Sequence, residues 1–338
     1  MLPGLLVLLY LHLQPAQPEP GFAPVTVNAA PIAEFLPGSG ETRFGLLDFL
    51  GGLQLSSANP EFGSLSGIAF LPDAHTFVAA ADTGFWFRAA LVEDGDRPTG
   101  IANAELGPIL DAEGRPPTVK ARADAEGVRL RPGGDALVTF EGRAALRAFA
   151  GPDFAGSVPR DIPLPGFTGD IPRNQGFESV AVAPADGPLG GAIVLIAERS
   201  LDDRGNHRGF VLSGPRTGTF FIRRTRDYDV TDATFLPDGD LLILERRFNL
   251  RDGFAMRMRR FAADAIRPGA TLDGTFLMEA DGGFAIDNME GLAAQPGPDG
   301  SAILTLISDD NGSWFQKTRL LQFALRPVAV PMPHIRPR

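Results

Sequence analysis

Acidic residues recur at two equivalent positions in five similar segments of this chain. The first position lies just before a small residue at the start of an apolar run, and it holds Ser66, Glu126, Glu178, Asp232 and Glu290. The second position ends the next apolar run, and it holds Asp82, Glu141, Glu198, Glu245 and Asp309. Apart from Ser66, every one of these residues is a carboxylate. Carboxylate oxygens are hard ligands, which suit Ca²⁺ and, in a smaller octahedral site, Mg²⁺.

The two positions should converge in space because the two runs in each segment are predicted to form a hairpin. The start of its first strand and the end of its second strand lie at the same end of the pair. Many like charges at one place are costly unless cations or arginines neutralise them. The recurrence of acidic residues at these two positions therefore favours a cation site, with Ca²⁺ preferred over Mg²⁺. Glu126, Glu178 and Glu290 are the candidate catalytic carboxylates. The alternative is that each carboxylate caps a turn or pairs with a nearby arginine.

Basic residues follow several of the acidic positions closely and suggest a second role for the same region. The candidates stand one or two residues after a predicted strand end, except Lys317, which follows the last one at a greater distance: Arg143, Arg199, Arg246, Arg247 and Lys317. Arginine binds phosphate groups through paired hydrogen bonds. These residues are therefore candidates for holding an anion beside the cation.

Other catalytic groups are scarce in the sequence. The chain has no cysteine and four histidines, and none of the histidines stands in a metal-ligand or catalytic spacing. We expect His207, in the segment DDRGNHRG, to lie in a solvated loop. No Gly-x-Ser-x-Gly nucleophile motif occurs. The carboxylates remain the main candidates for chemistry.

The elements that position these residues form an internal repeat. Its segments start at Ser64, Asp124, Gly176, Val230 and Asn288. The small residues Gly67, Gly127, Ser179, Ala233 and Gly291 lie 52–60 residues apart when they are aligned. Turns such as LPDGD and PGPDG separate the two apolar runs, as a tight reversal requires. This period is typical of a four-stranded β-propeller blade.

The two ends of the chain are predicted to complete one blade together. Residues Phe44 to Leu55 form a strand without its own hairpin, and the last repeat has only three strands, the third near Leu320 to Leu325. Their pairing closes the ring and removes its sheet edges. We therefore expect an all-β propeller of five blades, or six if Val25 to Phe35 begins another blade. A β-sandwich does not explain the period, and glycine and proline interrupt the helices that a Rossmann fold needs.

Composition excludes some classes of function. The 338-residue chain carries a formal net charge of -10 and has no basic cluster, which argues against nucleic-acid binding. Residues Leu5 to Leu13 have the length of a signal-peptide core, so residues 1–20 are predicted to be a leader for export to the periplasm or the medium. No other segment is long and apolar enough to span a membrane. Residues 21–338 are expected to form one domain.

Four short runs resemble the phytase-like domain family, which is described by an esterase-like activity of phytase. They are DAEG from Asp124, GFES from Gly176, DNMEGLA from Asp287 and LISDDN from Leu306. The resemblance covers roughly Phe44 to Leu325. It implies a propeller with a carboxylate-rich face, distantly similar to calcium-dependent phytases that hydrolyse phosphomonoesters.

The residues and the resemblance together predict a calcium-dependent hydrolase of phosphate esters or related small-molecule esters. A lactonase-type propeller enzyme is the second prediction. The third is a non-catalytic, calcium-stabilised propeller that binds a cell-envelope partner. Propellers host all three kinds of function, so the fold alone does not decide among them.

Overall fold

The computed structural model describes residues 18–117, 124–142, 144–169, 171 and 176–327. Arg143 and most of the predicted leader lie outside these residues. The described part of the chain is built from strands, with single turns of 3-10 helix at Phe154–Gly156, Gly166–Thr168 and Ala263–Ala265. In this part of the protein no helix has the length and apolar character needed to cross a membrane.

The described residues form 24 strands, which are numbered here in chain order. The first twelve are β1 Ala23–Pro24, β2 Asn28–Ile32, β3 Arg43–Phe44, β4 Leu47–Ser56, β5 Leu65–Phe70, β6 Thr76–Ala81, β7 Phe85–Asp94, β8 Arg97–Pro108, β9 Ala125–Leu130, β10 Ala136–Phe140, β11 Ala145–Phe149 and β12 Arg160–Asp161. The others are β13 Phe177–Val182, β14 Ile193–Leu201, β15 His207–Val211, β16 Gly218–Ile222, β17 Asp229–Phe235, β18 Leu241–Asn249, β19 Gly253–Phe261, β20 Thr271–Leu272, β21 Thr275–Ala280, β22 Asn288–Pro296, β23 Ala302–Asp309 and β24 Thr318–Leu325.

These strands form five sheets arranged as the blades of a propeller. From the inside outwards, blade 1 is β5-β6-β7-β8-β1, blade 2 is β9-β10-β11-β12 and blade 3 is β13-β14-β15-β16-β20. Blade 4 is β17-β18-β19-β21, and blade 5 is β22-β23-β24-β4-β2 with β3 on β4. Each innermost strand lies beside those of the two neighbouring blades, and β22 lies beside β5 to complete the circle. The prediction of five blades is confirmed.

Blade 5 combines the two ends of the described chain, as the sequence predicts. Strand β24 pairs antiparallel with β4 along its whole length, from Thr318 opposite Leu55 to Leu325 opposite Leu47. The segment considered for a sixth blade instead supplies β2, which adds to the outer edge of β4. The ring is therefore closed by hydrogen bonds between strands from opposite ends of the sequence, with no open sheet edge at the junction.

The apolar core lies between neighbouring blades. Five clusters of buried side chains occupy the five interfaces, and each draws on the two blades that flank it. The second strand of each blade is covered on both faces, which explains its continuous apolar sequence, such as LLIL in β18. Burial on both faces fixes the radial position of every hairpin, and with it the residues at the hairpin ends.

An irregularity occurs at one equivalent place in all five innermost hairpins. The pairing register shifts near the start of each first strand, between Leu65 and Gly67 in blade 1 and between Phe177 and Ser179 in blade 3. Such a β-bulge leaves one extra residue unpaired and turns its side chain in a new direction. The residues at these bulges are Ser66, Glu126, Glu178, Thr231 and Glu290. The bulges therefore set the direction of three predicted acidic site residues.

Candidate metal centre and arginine cavity

The bulges and the strand ends bring eight carboxylates together at one mouth of the propeller. Glu126, for example, is surrounded by the charges of Glu178, Glu290, Asp124 and Asp82. We name this set the carboxylate cluster: Asp82, Asp124, Glu126, Glu141, Glu178, Glu198, Glu290 and Asp309. Seven of these residues are predicted from the sequence. Asp124 is the addition, and its position two residues before Glu126 in the DAEG run is the signal that could have identified it.

Two groups within the carboxylate cluster have the spacing of ligands to one ion. Oxygen atoms of Asp124, Glu126 and Glu141 all lie within 4.8 Å of one another, and so do those of Glu141, Glu178 and Glu198. Ligands of one Ca²⁺ stand 2.3–2.6 Å from it, so two of them lie at most about 5 Å apart. Glu141 belongs to both groups. The donor set is entirely oxygen, the ligand type that Ca²⁺ takes, and each group could supply three of the ligands of one ion.

Burial and mutual repulsion disfavour the ionised cluster when no cation is present. Burial, followed by the charges of Glu178 and Glu290, raises the pKa of Glu126 well above its ordinary value. The same causes, with Glu198 and Glu141 as neighbours, raise the pKa of Glu178. The pKa of Glu141 rises to about 7 and that of Asp309 to about 8. Such shifts are typical of sites that hold a cation or a catalytic proton.

Blade 4 departs from the other blades at the strand-end position. Its register places Arg246 where Asp82, Glu141, Glu198 and Asp309 stand in the other blades. Arg246 donates hydrogen bonds to Glu290 and Asn288 and lies 3.4 Å from a carboxylate oxygen of Glu198. Glu245, the predicted member, is one residue earlier and points to the opposite face of the strand. There it is fully buried in ion pairs with Arg257 and Arg259.

The first position of blade 4 is displaced by one residue as well. Thr231 occupies the bulge, and Asp232 stands where the other blades have Gly67, Gly127, Ser179 and Gly291. The sequence alignment of Asp232 with the bulge carboxylates is therefore wrong. Asp232 is fully buried and accepts hydrogen bonds from the backbone N–H groups of Ala233 and Leu292.

The partner of Asp232 is Arg129, which closes the centre of the propeller. The Arg129 guanidinium lies 3.4 Å from the Asp232 carboxylate. It also donates to the carbonyl oxygens of Ile68, Val180, Ala233 and Leu292, one from each of the other four blades. The sequence carried a signal for this residue, because the equivalent positions hold alanine or threonine: Ala69, Ala181, Thr234 and Ala293.

A cavity of about 400 Å³ adjoins the carboxylate cluster at Arg246. Its cationic lining consists of Arg199, Arg224, Arg246 and Arg247, and its other walls include Asp227, Asp229, Phe248, Phe254, Asn288 and Asn311. We call this the arginine cavity. Asp229 orients two of the arginines through contacts of 3.3 Å to Arg199 and 2.7 Å to Arg224.

The predicted anion-binding residues divide between the cavity and other places. Arg199 and Arg246 line it, as does Arg247. Lys317 is not part of its lining, and its ammonium group lies 3.3 Å from the carbonyl oxygen of Trp314. Arg143 lies outside the described residues. Arg224 was not predicted as an anion-binding residue, and it reaches the cavity from the segment that follows β16.

His207 is buried rather than solvated, which corrects the expectation from the sequence. It begins β15, and its ring nitrogens lie 2.6 Å from the carbonyl oxygen of Glu198 and 3.1 Å from that of Tyr228. Burial lowers its pKa despite these two contacts. His207 therefore bridges the backbones of blades 3 and 4 and holds the segment that carries Glu198.

The fold and this site define a five-bladed propeller with a carboxylate cluster and an arginine cavity at one mouth. The model of the Phytase-like family, described as esterase-like activity of phytase, matches residues 60–312, well over half of the chain. The chain belongs to this family.

Solved structures of other proteins resemble this chain at low sequence identity. No curated protein matches the chain at a significant level. Virginiamycin B lyase from Staphylococcus aureus is similar with a TM-score of 0.39 and 8% identity, over 89% of this chain and 100% of that one. Aldose sugar dehydrogenase from Streptomyces coelicolor is similar with a TM-score of 0.41 and 12% identity, over 90% of this chain and 99% of that one.

Proposed function

We propose that this protein is a calcium-dependent hydrolase of anionic esters, with phosphate esters as the favoured class. The observation that carries the proposal is that the carboxylate cluster and the arginine cavity meet at one residue, Arg246. Arg246 reaches Glu198 and Glu290 in the carboxylate cluster and also lines the arginine cavity. A molecule that extends between them can meet a cation and several guanidinium groups at once. Membership in a family described by an esterase-like activity of phytase supports this reaction type.

The carboxylate cluster is the proposed cation site. Its two oxygen groups suit Ca²⁺ better than Mg²⁺, because Mg²⁺ usually retains several waters and rarely occupies an all-protein cage. The Ser66 hydroxyl, at the bulge position of blade 1, is buried without a hydrogen-bond partner among the described atoms. It is one more oxygen that is available to a ligand at this mouth. A bound cation also offsets the repulsion that raises the pKa values of Glu126 and Glu178.

The arginine cavity is the proposed site for the anionic group of the substrate. Asp229 fixes the guanidinium groups of Arg199 and Arg224, so these donors are oriented before a ligand enters. Oriented arginines recognise phosphate oxygens through paired, charge-assisted hydrogen bonds. Arg246 stands between this anion and the carboxylate cluster, where it can hold the ester beside the reacting groups.

Each group then has a defined task in hydrolysis. Bound Ca²⁺ supplies polarisation of the ester and of water, which is its usual contribution to catalysis. Glu126 and Glu178 would be ionised ligands of the cation, and Glu290, which Arg246 contacts, is the candidate base that would accept a proton from water. A carboxylate beside an attacking water can take its proton as the new bond to the ester forms, and that proton then passes to the leaving oxygen.

A calcium titration with a matched pair of variants tests the cation site. We expect Ca²⁺ to raise the melting temperature of wild type and a chelator to lower it, because a ligand stabilises the state that binds it. Glu178→Gln removes one ligand charge and should weaken Ca²⁺ binding by about tenfold or more. The metal-free variant should be no less stable than wild type, because repulsion in the cluster is relieved. Glu105→Gln is the control, since Glu105 pairs with Arg88 on an outer strand and should leave the calcium response unchanged.

Substrates then test the reaction. Phosphomonoesters, aryl esters and lactones should be assayed with Ca²⁺ and with a chelator, and we expect phosphomonoester hydrolysis that requires Ca²⁺. Turnover of lactones alone would favour the lactonase alternative. A calcium-dependent melting temperature without any turnover would favour the non-catalytic alternative. The absence of any calcium shift in wild type would remove the basis of the whole mechanism.

A further inference from the structure

The arginine cavity has an aromatic wall that the binding of an anion does not explain. Phe248 and Phe254 line it, opposite each other on β18 and β19, with ring centroids 4.7 Å apart. Phe248 is 55% exposed, so much of its ring surface is open to a ligand. The pair stands where the β18–β19 hairpin continues beyond Arg246 to Asn249.

Strand geometry places this wall beside the arginines. Side chains alternate between the two faces of a strand, so Phe248 is on the same face as Arg246. Arg246 is the residue that joins the arginine cavity to the carboxylate cluster. A ligand whose anionic group meets Arg246 thus has an apolar surface within reach on the same strand. A volume of about 400 Å³ is also within the range of pockets that hold small organic molecules.

We infer that Phe248 and Phe254 are specificity-determining residues that bind an apolar, preferably aromatic, group of the anionic ester. The inference rests on the proposed function and adds a substrate class to it: the substrate is an amphiphile, with the anion on the arginines and an apolar group on the phenylalanine pair. Aromatic rings favour tilted or edge-to-face contact with one another, and the Phe248–Phe254 pair exposes ring surface for such contact. A purely polar, multiply charged ester leaves this surface without a partner.

The binding of non-hydrolysable phosphonates tests this inference without depending on catalysis. Calorimetry with saturating Ca²⁺ should compare phenylphosphonate with methylphosphonate, which share the same anionic group. We expect phenylphosphonate to bind wild type about tenfold more tightly, a difference of about 1.4 kcal/mol. In the double variant Phe248→Ala/Phe254→Ala, phenylphosphonate should lose this advantage while methylphosphonate binds as before. Phe276→Ala is the matched control, because Phe276 is a phenylalanine of similar exposure on β21 of the same blade and is not part of the cavity.

Each result separates this inference from the proposed function. Equal binding of the two phosphonates by wild type would overturn the aromatic site and leave the proposed anion site standing. If the double variant still binds phenylphosphonate more tightly than methylphosphonate, that result would overturn the aromatic site too. If neither phosphonate binds, the proposed anion site fails and the inference fails with it. Binding to phosphatidylcholine vesicles that is lost in the double variant would assign the pair to a lipid surface and overturn its role in ester binding.

Discussion

At the scale of single residues, the site is governed by carboxyl groups that burial and crowding keep from ionising. Glu141 has a pKa raised to about 7 and Asp309 one raised to about 8, with burial as the largest cause for each. Glu290 and Asp82 add to the shift of Asp309, and Asp124 and Glu198 add to that of Glu141. A cation is the simplest means of making the ionised cluster stable in the folded state.

This leads to a prediction about pH. In cation-free protein, Glu141 and Asp309 keep protons that the unfolded chain loses near pH 4. The unfolded state therefore binds fewer protons up to about pH 8, and the free energy of unfolding should fall as the pH rises through that window. Melting temperatures in EGTA should decline accordingly from pH 5 to 8, whereas saturating Ca²⁺ should remove the decline. Glu141→Gln/Asp309→Asn should flatten the profile in EGTA, and an unchanged slope would contradict the assigned cause.

The sequence predicted most of the carboxylate cluster, but it also predicted two members from blade 4 that the cluster does not contain. The five repeats share a pattern of acidic positions, and seven of the nine predicted carboxylates do meet at one mouth. In blade 4 both positions were placed one residue off, because Asp232 and Glu245 match the acidic pattern better than Thr231 and Arg246 do. A shift of one residue moves a side chain to the other face of a strand. Only the pairing partners in space reveal that Arg246 faces the cluster.

At the scale of the element, the site depends on how closely the innermost strands approach one another. A Cβ atom added to Gly127 would lie 2.7 Å from the carbonyl oxygen of Glu178 and 2.9 Å from the nitrogen of Val180. Both of those atoms belong to the neighbouring blade, so its backbone would have to move. Gly127 is therefore a steric requirement of the ring centre, and so is Gly67, which approaches the backbone of the next blade as closely.

Gly127→Ala should consequently damage both the ring and the cation site. Forcing the strands apart is expected to lower the free energy of unfolding by about 1–3 kcal/mol, as overpacking usually does. It should also weaken Ca²⁺ binding, because the backbone at Glu178 is displaced. Gly133→Ala is the control, since Gly133 lies in the β9–β10 turn and nothing approaches its added Cβ within 4 Å. Denaturant unfolding and calcium titration measure the two effects, and equal values for the two variants would contradict the steric argument.

At the scale of the whole molecule, the arrangement of blades was more predictable from sequence than the centre. Turn residues, the repeat length and an unpaired N-terminal strand were sufficient to predict five blades and their closure. The Arg129–Asp232 pair at the axis was not predicted, because its contacts join five segments that are far apart in the sequence. The local sequence pattern is sufficient to predict a hairpin. The contacts of side chains in the central channel, by contrast, depend on the packing of all five blades.

The closure of the ring can be tested with an engineered disulfide, because the chain has no cysteine of its own. Gln54 on β4 lies directly opposite Arg319 on β24. Opposed residues of antiparallel strands have Cα atoms about 4.5–5.5 Å apart, which a disulfide can span. Gln54→Cys/Arg319→Cys should oxidise fully in the folded protein, and the bond should stabilise it by about 2–4 kcal/mol relative to its reduced form. The measurements are thiol titration and melting with and without reductant. Gln54→Cys/Arg160→Cys is the control, because it places the second thiol on blade 2, and it should remain reduced. A disulfide between the two introduced thiols of this control, with none in the Gln54→Cys/Arg319→Cys variant, would show that β4 does not complete blade 5.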